Sequence, residues 1–384
     1  MIELDDRLRM LRDEARERAK ALRRCALDLD RDPDLAAELV DLPGIRYLAT
    51  TMIPPEYQPH PLRLGSYTFY GMRCLERVVA VEELARGDAG GMLAAPGPSL
   101  SGVIVHELAD PDQKRWYYDR LLDRPTWTFF ALTEPDRGSD AGQLRTTLTR
   151  VPGGWSLHGH KRYIGNGVRA PFGVVVARHG AGPLAITAVV VDTAAPGFAA
   201  EPIPTVGLRA ARLSALTFDG VYVPDEMVLG RHLTASRRGM RAAVRTFNQL
   251  RPGVAALALG VAAAATDYVR QYRPRLTTVE QAVLIELEQR IVAVRQLVYR
   301  AAIAVDRDTG DGYLGSAAKA RAAALAEDAT LAAPRFFGPG ALLDHPVLDK
   351  LARDARGFEF MEGTSNIQRL NLFQGFTQGR LANV

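Results

Sequence analysis

Trp127-Thr-Phe-Phe-Ala-Leu-Thr-Glu-Pro-Asp-Arg-Gly-Ser-Asp140 is where the chain changes texture. Its first six residues are aromatic, β-branched or apolar, and they run into a turn holding Pro135 and Gly138, as a strand meeting a turn does. Three runs of the same kind follow, Gly173 to Ala177, Ile186 to Val191 and Leu213 to Phe218, each bounded by Gly, Pro or Asp. Residues 126–235 therefore read as an antiparallel sheet or small barrel.

On either side the period is helical. Leu4, Leu8, Leu11, Ala15, Ala19 and Leu22 recur among charged residues and predict an amphipathic helix over 4–24. After a Pro-containing stretch from Met52 to Pro61, a second helical region runs to Asp123, broken at Gly87, Gly90, Gly91 and Pro96-Gly-Pro98. Beyond Ser236 come long helical segments, one reaching Tyr272, one from Thr278 to Arg307 and an Ala-rich one from Ser316 to Leu331. Thr278 and Gln281 have capping-box spacing. The expected fold class is α+β and multidomain: an N-terminal helical domain over 1–125, a middle β domain over 126–235 and a C-terminal four-helix bundle over 236–384.

Composition narrows the function classes. With 384 residues, 47% hydrophobic and 24% charged, the chain can bury sizeable cores and is not expected to be disordered. The longest apolar run, Val254 to Ala265, has 12 residues, short of the roughly 20 that cross a bilayer. The opening Met-Ile-Glu-Leu-Asp-Asp is acidic where a secretory signal is basic. A cytoplasmic protein without a membrane span is the expectation. Cys25 and Cys74 show no CxxC spacing and are read as packing residues of a reducing compartment. His158-Gly-His160 lacks the Cys or carboxylate neighbours of a metal centre, so no metal is expected. The net charge of +4 rests on 48 basic residues, of which five are Lys, and no block concentrates them. Without zinc-finger spacing or an RNA-binding aromatic motif, an anionic thioester carrier is a better-motivated partner than nucleic acid.

Three stretches could carry chemistry. In Phe130 to Asp140, glycine lets backbone approach a ligand, and Thr133 and Ser139 offer hydroxyls to carbonyl or phosphate oxygens; an ordinary hairpin turn has the same residues. Lys161-Arg-Tyr-Ile-Gly-Asn-Gly167 sets an aromatic ring beside two glycines, so that Tyr163 could cover a flat ring and Gly165 could present its N–H to a ring nitrogen; a plain glycine turn after a strand is the alternative. In Arg353 to Arg369 a charged helix breaks at Glu362-Gly363 before another begins at Thr364 or Ser365. A carboxylate between Met361 and Gly363 loses hydration, which raises its pKa toward that of a general base; the alternative is a surface Glu ahead of a helix cap.

In this order along the chain, the three stretches resemble the acyl-CoA dehydrogenase family over essentially the whole length. Thr133-Glu-Pro with Gly138-Ser-Asp140 matches that family's TEPxxGSD motif, and Glu362-Gly-Thr-Ser-Asn-Ile-Gln-Arg369 its EGTxxIQR motif. The resemblance implies FAD between the middle sheet and the C-terminal bundle, with Phe130, Leu132, Thr133, Tyr163, Ile164 and Gly165 around the isoalloxazine. Gly138 and Ser139 would face cofactor or carrier phosphate, and Thr364 and Asn366 the flavin from the opposite side. Glu362 would take the α-proton of an acyl thioester while hydride leaves Cβ for the flavin, with Gly363, Asn248 and Arg251 at the substrate. The family's other base position, before Arg251-Pro252, is Leu250.

Departures from the family pattern are equally informative. Gly165 stands where most relatives have a Thr that contacts the flavin. The RxxFG segment, which usually reaches FAD in a neighbouring subunit, reads Arg270-Gln-Tyr-Arg273-Pro274, and Pro334 replaces the Gln ahead of the glycine pair at Phe337-Gly338. Asn248 stands where some CoA-using relatives carry Asp. These changes, with Pro125-Thr-Trp-Thr-Phe-Phe130 and Arg162-Tyr-Ile-Gly-Asn166, resemble the branch acting on acyl carrier protein (ACP) thioesters in polyketide extender-unit supply, methoxymalonyl-ACP biosynthesis included. The expectation is an FAD-dependent dehydrogenase of an acyl-ACP, as a homodimer or homotetramer with an unspecified electron acceptor. An ordinary short-chain acyl-CoA dehydrogenase, a non-catalytic nucleic-acid-binding relative and a flavin monooxygenase are the alternatives.

Overall fold

The computed structural model describes residues 1–380. The first helix, α1 (Asp6–Arg31), starts where the Asp5 side chain accepts from Leu8 N. Its buried stripe is the one read from the sequence, carried on through Ala26 and Leu29. After α2 (Pro43–Thr50), the hairpin β1 (Leu62–Leu64) and β2 (Tyr67–Phe69) leads into α3 (Cys74–Leu93), α4 (Ser99–Leu108) and α5 (Pro111–Asp123). At Gly87, α1 and α3 come so close that a Cβ would lie 2.4 Å from Ala19 O, so a side chain there would push the helices apart.

The middle section is a sheet of β3 (Thr128–Ala131), β4 (Thr147–Val151), β5 (Gly154–Ile164), β6 (Phe172–Arg178), β7 (Ile186–Asp192), β8 (Phe198–Pro202) and β9 (Ser214–Pro224). The order is β3-β6-β4-β5-β9-β8, with β7 also on β6. Most pairings are antiparallel, as expected, but β3 runs parallel to β6 in the register Thr128↔Phe172. β3 stands at one end of the strand order, and the turn after it is closed by the antiparallel bridge Glu134↔Arg137.

The chain returns to helices in α6 (Met240–Tyr272), α7 (Thr278–Arg307) and α8 (Tyr313–Ala332), followed by α9 (Ala341–Asp344), α10 (Pro346–Ala355), α11 (Gly357–Phe360) and α12 (Ser365–Thr377). The capping box of α7 lies one residue earlier than the spacing suggested: Thr277 accepts from Glu280 N and the Glu280 carboxylate accepts from Thr277 N. Ala235–Tyr272 is long and apolar enough to cross a bilayer, yet 83% of its most apolar window is buried, the placement of a core helix.

Two of the sequence-defined sections share a core. Side chains of α1 and α3 interdigitate with those of α6, α7, α8 and α10 in one apolar cluster. A second cluster joins α4 and α5 to one face of the sheet, and a third fills the other side. A buried ionic knot crosses the first boundary. Asp88 breaks the helical run of α3 (φ −162°, ψ 113°), and its carboxylate accepts from Lys350 Nζ at 2.5 Å. Lys350 also donates to Asp354 (2.6 Å), whose second oxygen accepts from Leu208 N, so the knot ties α3, α10 and the loop before β9 together.

Candidate active site

The turn after β3 is fastened from inside. Glu134 accepts from Arg145 N (2.7 Å), Thr146 N (2.8 Å) and Thr146 Oγ1 (2.6 Å), and from Nζ of the fully buried Lys161 at 3.0 Å. Lys161 also donates to Leu132 O (2.9 Å). Burial pulls the ammonium down to about 8, with Glu134 opposing. Burial pushes Glu134 the other way, but Lys161 and the hydrogen bonds outweigh it, leaving the carboxyl below its ordinary value. The next strand residue, Arg162, donates N–H to Thr133 O at 2.9 Å, so the first two motifs lie edge to edge.

The second motif is conformationally strained. Tyr163 (φ 62°) and Asn166 (φ 61°) are both left-handed, as are Leu208 (φ 51°) and Arg212 (φ 47°) in the loop they meet. Asn166 N donates to Ala211 O (2.9 Å) and Asn166 Nδ2 to Leu93 O (3.0 Å), while Leu208 N donates to Asp354. Loop 207–212 thus joins the second motif to the helix that opens the third. Tyr163 keeps 54% of its surface exposed, a Cβ on Gly165 would meet only Ala211 O at 3.9 Å, and Asn166 Oδ1 is buried without a partner.

The third motif forms a netted turn. Glu362 has φ 51° and Gly363 φ 100°, where a Cβ on Gly363 would strike Gln368 Nε2 at 2.9 Å. The Glu359 carboxylate accepts from Ser365 N and Oγ, fixing the start of α12. Glu362 is half-buried as a residue, but its Oε2 is closed to solvent and unpartnered. Burial pushes this carboxyl up to about 8, against the positive charges of Arg251 and Lys319. No hydrogen bond from the Glu362 main-chain N–H to another described residue is found.

Glu362 and Met361 line a cavity of about 180 Å³ with Tyr47, Thr51, Arg77, Ser99 and Leu250, among others. Leu250, at the alternative base position, supplies only apolar wall. Thr51 Oγ1 is buried and has no hydrogen-bond partner. On α6, next to Leu250, Arg251 is buried and donates to Asn248 Oδ1 (2.9 Å), and Asn248 donates to Gly310 O (3.2 Å). No carboxylate forms a salt bridge with Arg251 among the described residues, and burial lowers its pKa while Glu362 opposes the shift.

Of the other expected site residues, Arg270 and Gly338 do not line this cavity. Arg270 is held by Glu288 of α7 in a bidentate pair (2.8 Å each). Gly338 is left-handed (φ 90°), with no atom within 4 Å of a would-be Cβ. Gly138 and Ser139 sit on the exposed outer part of the first turn, and Thr364 and Asn366 open α12. Sequence reasoning missed the walls from α2 and α3 because apolar residues of a lining and of a core have the same pattern. Lys319 was also missed, although a lone Lys in the Ala-rich α8 was a signal.

Comparisons with known proteins identify the family. Residues 129–221 match the family model for the acyl-CoA dehydrogenase middle domain and 237–376 that for its C-terminal domain. An acyl-CoA dehydrogenase of Bacillus subtilis is 31% identical over 381 residues, covering 94% of each chain. The chain belongs to the acyl-CoA dehydrogenase family. The butyryl-CoA dehydrogenase structure from Megasphaera elsdenii superimposes with a TM-score of 0.84 at 25% identity, covering 98% of this chain and 100% of that one. The prolyl acyl carrier protein oxidase AnaB shares the fold at the same TM-score and 20% identity, covering 97% of this chain and 100% of that one. As an acyl-CoA dehydrogenase-type protein, the chain is an FAD-dependent oxidoreductase acting on acyl thioesters.

Proposed function

We propose that Glu362 is the base that removes the α-proton from a short acyl unit held as an ACP thioester. One observation carries the assignment: Glu362, which lines the cavity and is held in the left-handed region, carries a carboxylate oxygen that is closed to solvent and unpartnered. Strain and orphaned polar atoms collect where a ligand completes the structure.

The residues fit a flavin. An open tyrosine ring, a glycine with room above it and the orphaned Asn166 Oδ1 adjoin the Leu132–Thr133 turn. Phe130, Leu132, Thr133, Tyr163, Ile164 and Gly165 would hold the ring from the sheet side, and Thr364 and Asn366 from α12. When bound, FAD supplies the oxidising power that accepts hydride from Cβ. The chain's own tasks are to orient the acyl unit, exclude water and move one proton. A thioester α-C–H becomes acidic when its carbonyl oxygen receives fixed donors in a dry site, and the N–H of Glu362, which donates to no described residue, would take that role. With its carboxyl raised to about 8, Glu362 holds a proton firmly once taken, so the rate of proton removal rises with pH through that value.

The substrate reading rests on the cavity and the sequence. About 180 Å³ suits a short acyl chain, and the wall is mainly apolar, with the unpartnered hydroxyl of Thr51 on one of its lining residues. Asn248 in place of Asp, and the fold shared with a protein named as an acyl carrier protein oxidase, support ACP as carrier. Exposed Leu370, Phe373 and Phe376 on α12 offer an apolar face to a second copy, in keeping with a homodimer or homotetramer. Anaerobic mixing with butyryl-ACP and butyryl-CoA tests the carrier. Faster flavin bleaching by the ACP thioester is expected, whereas preference for CoA would make this an ordinary short-chain acyl-CoA dehydrogenase.

A further inference from the structure

We infer that Lys319 and Gln368 are positioning residues that hold the turn bearing Glu362 in its working geometry; the inference rests on Glu362 being the base. Lys319 is fully buried in α8 and its Nζ donates to Glu359 O and Gly363 O, each at 2.7 Å. Gln368, fully buried one turn into α12, donates through Nε2 to Glu362 O (3.1 Å) and Gly363 O (3.0 Å). Two side chains from different helices therefore catch the carbonyls before, at and after the base.

A turn with two successive left-handed residues has no hydrogen-bond ladder of its own, so its conformation must be imposed from outside. The imposed conformation sets Glu362 in the cavity wall and leaves its N–H without an acceptor among the described residues. An uncharged donor could satisfy the same carbonyls. Lys319 instead places an ammonium beside Glu362, and among the described residues no carboxylate forms a salt bridge with it. Lys319 therefore acts twice: it holds the turn, and its charge favours the ionised base. The charged or titratable groups facing Glu362 are Arg251 from α6, Lys319 from α8, Arg77 and Cys74 from α3, and Tyr47 from α2. Gln368 has no charge and acts through geometry alone.

The experiment uses the FAD-loaded enzyme and a 3-thiabutyryl thioester on ACP and on CoA. Sulfur at the β position leaves no β-hydride, so the long-wavelength charge-transfer absorbance of the bound enolate reports α-proton removal alone. Lys319→Gln should slow enolate formation about 100-fold, the cost of a displacement near one ångström, and raise its pH midpoint by about one unit. Gln368→Met should slow it by a similar factor and leave the midpoint where it is. Each variant should keep its flavin. Parental rate and midpoint in both variants would overturn the inference, as would rate loss in step with flavin loss, since the residues would then be holding cofactor. If Lys319→Gln does not fold, Gln368→Met decides. A parent enzyme that forms no enolate from either thioester would defeat the Glu362 reading and this one with it, whereas a working parent with unaffected variants would defeat only this one.

Discussion

Two buried lysines hold two turns, and they do it differently. Lys161 fastens the turn after β3 by donating to a carbonyl and to the Glu134 carboxylate. Lys319 fastens the turn before α12 by donating to two carbonyls and, among the described residues, to no carboxylate. Burial pulls both ammonium groups down to about 8. The first charge is cancelled where it sits, which makes a rigid, electrically quiet frame. The second is left uncancelled beside Glu362, whose carboxylate is the anion it can serve. A paired charge builds a scaffold; an unpaired one next to a reactive group adjusts that group.

The contrast is broken most forcefully at the scaffold. Lys161→Met strands the Glu134 carboxylate inside the sheet, and loss of one partner of a buried pair costs about 3–5 kcal/mol. Thermal melts should show a large fall in Tm together with flavin loss. If Lys161→Met instead keeps its Tm and flavin, the two lysines do not differ as described.

The next effect in size is on stability as a function of pH. Glu362 in the fold has a carboxyl raised to about 8, above the ordinary value near 4.3. The folded state therefore favours the protonated form: that contribution is present below the ordinary value and is lost as pH rises through about 8. Glu362→Gln should melt near the parent at pH 5 and higher than the parent at pH 9, by a few kcal/mol at most. Melts of the flavin-free proteins across that range check the sign.

Asn248→Asp sharpens the comparison from the other direction. A carboxylate at 248 would lie against Arg251, 2.9 Å from the present amide oxygen, and cancel its charge. Glu362 would then lose one of its two stabilising cations, and the pH midpoint of flavin reduction should rise by somewhat under one unit. The smallest effect is expected at Gly165→Thr. A Cβ there meets only Ala211 O at 3.9 Å, so the unfolding free energy should change by less than about 0.5 kcal/mol, while FAD binds several-fold more tightly through the added hydroxyl.

The legible part of this molecule was its periodicity. The stripe of α1, the bounds of α7 from Thr278 to Arg307 and the strand at Ile186 follow from spacing alone, because a local pattern decides each. The parallel pairing of β3 with β6 was not legible, since nothing in Thr128–Ala131 specifies which strand, 44 residues on in register, will be its neighbour. The same holds for the core shared by α1, α3 and α6 and for the Asp88–Lys350–Asp354 knot, which join residues far apart in sequence. At the candidate site, Glu362 stood out because a carboxylate at a helix break between apolar neighbours is unusual. Arg270 pairs with Glu288, a partner on the next helix that the motif does not contain. Lys319 and Gln368 could not be ranked as important until the carbonyls they hold were visible.

The most direct measurement is α-proton exchange. Incubated anaerobically in deuterium oxide with the 3-thiabutyryl thioester on its preferred carrier, the parent enzyme should wash deuterium into the α-position, faster as pH rises toward 8. Glu362→Gln, with its full complement of FAD, should show about 10⁴-fold less exchange, the upper range for loss of a positioned base. Exchange by that variant at the parental rate would mean that another group removes the proton, and that the carboxylate in the cavity is not the base.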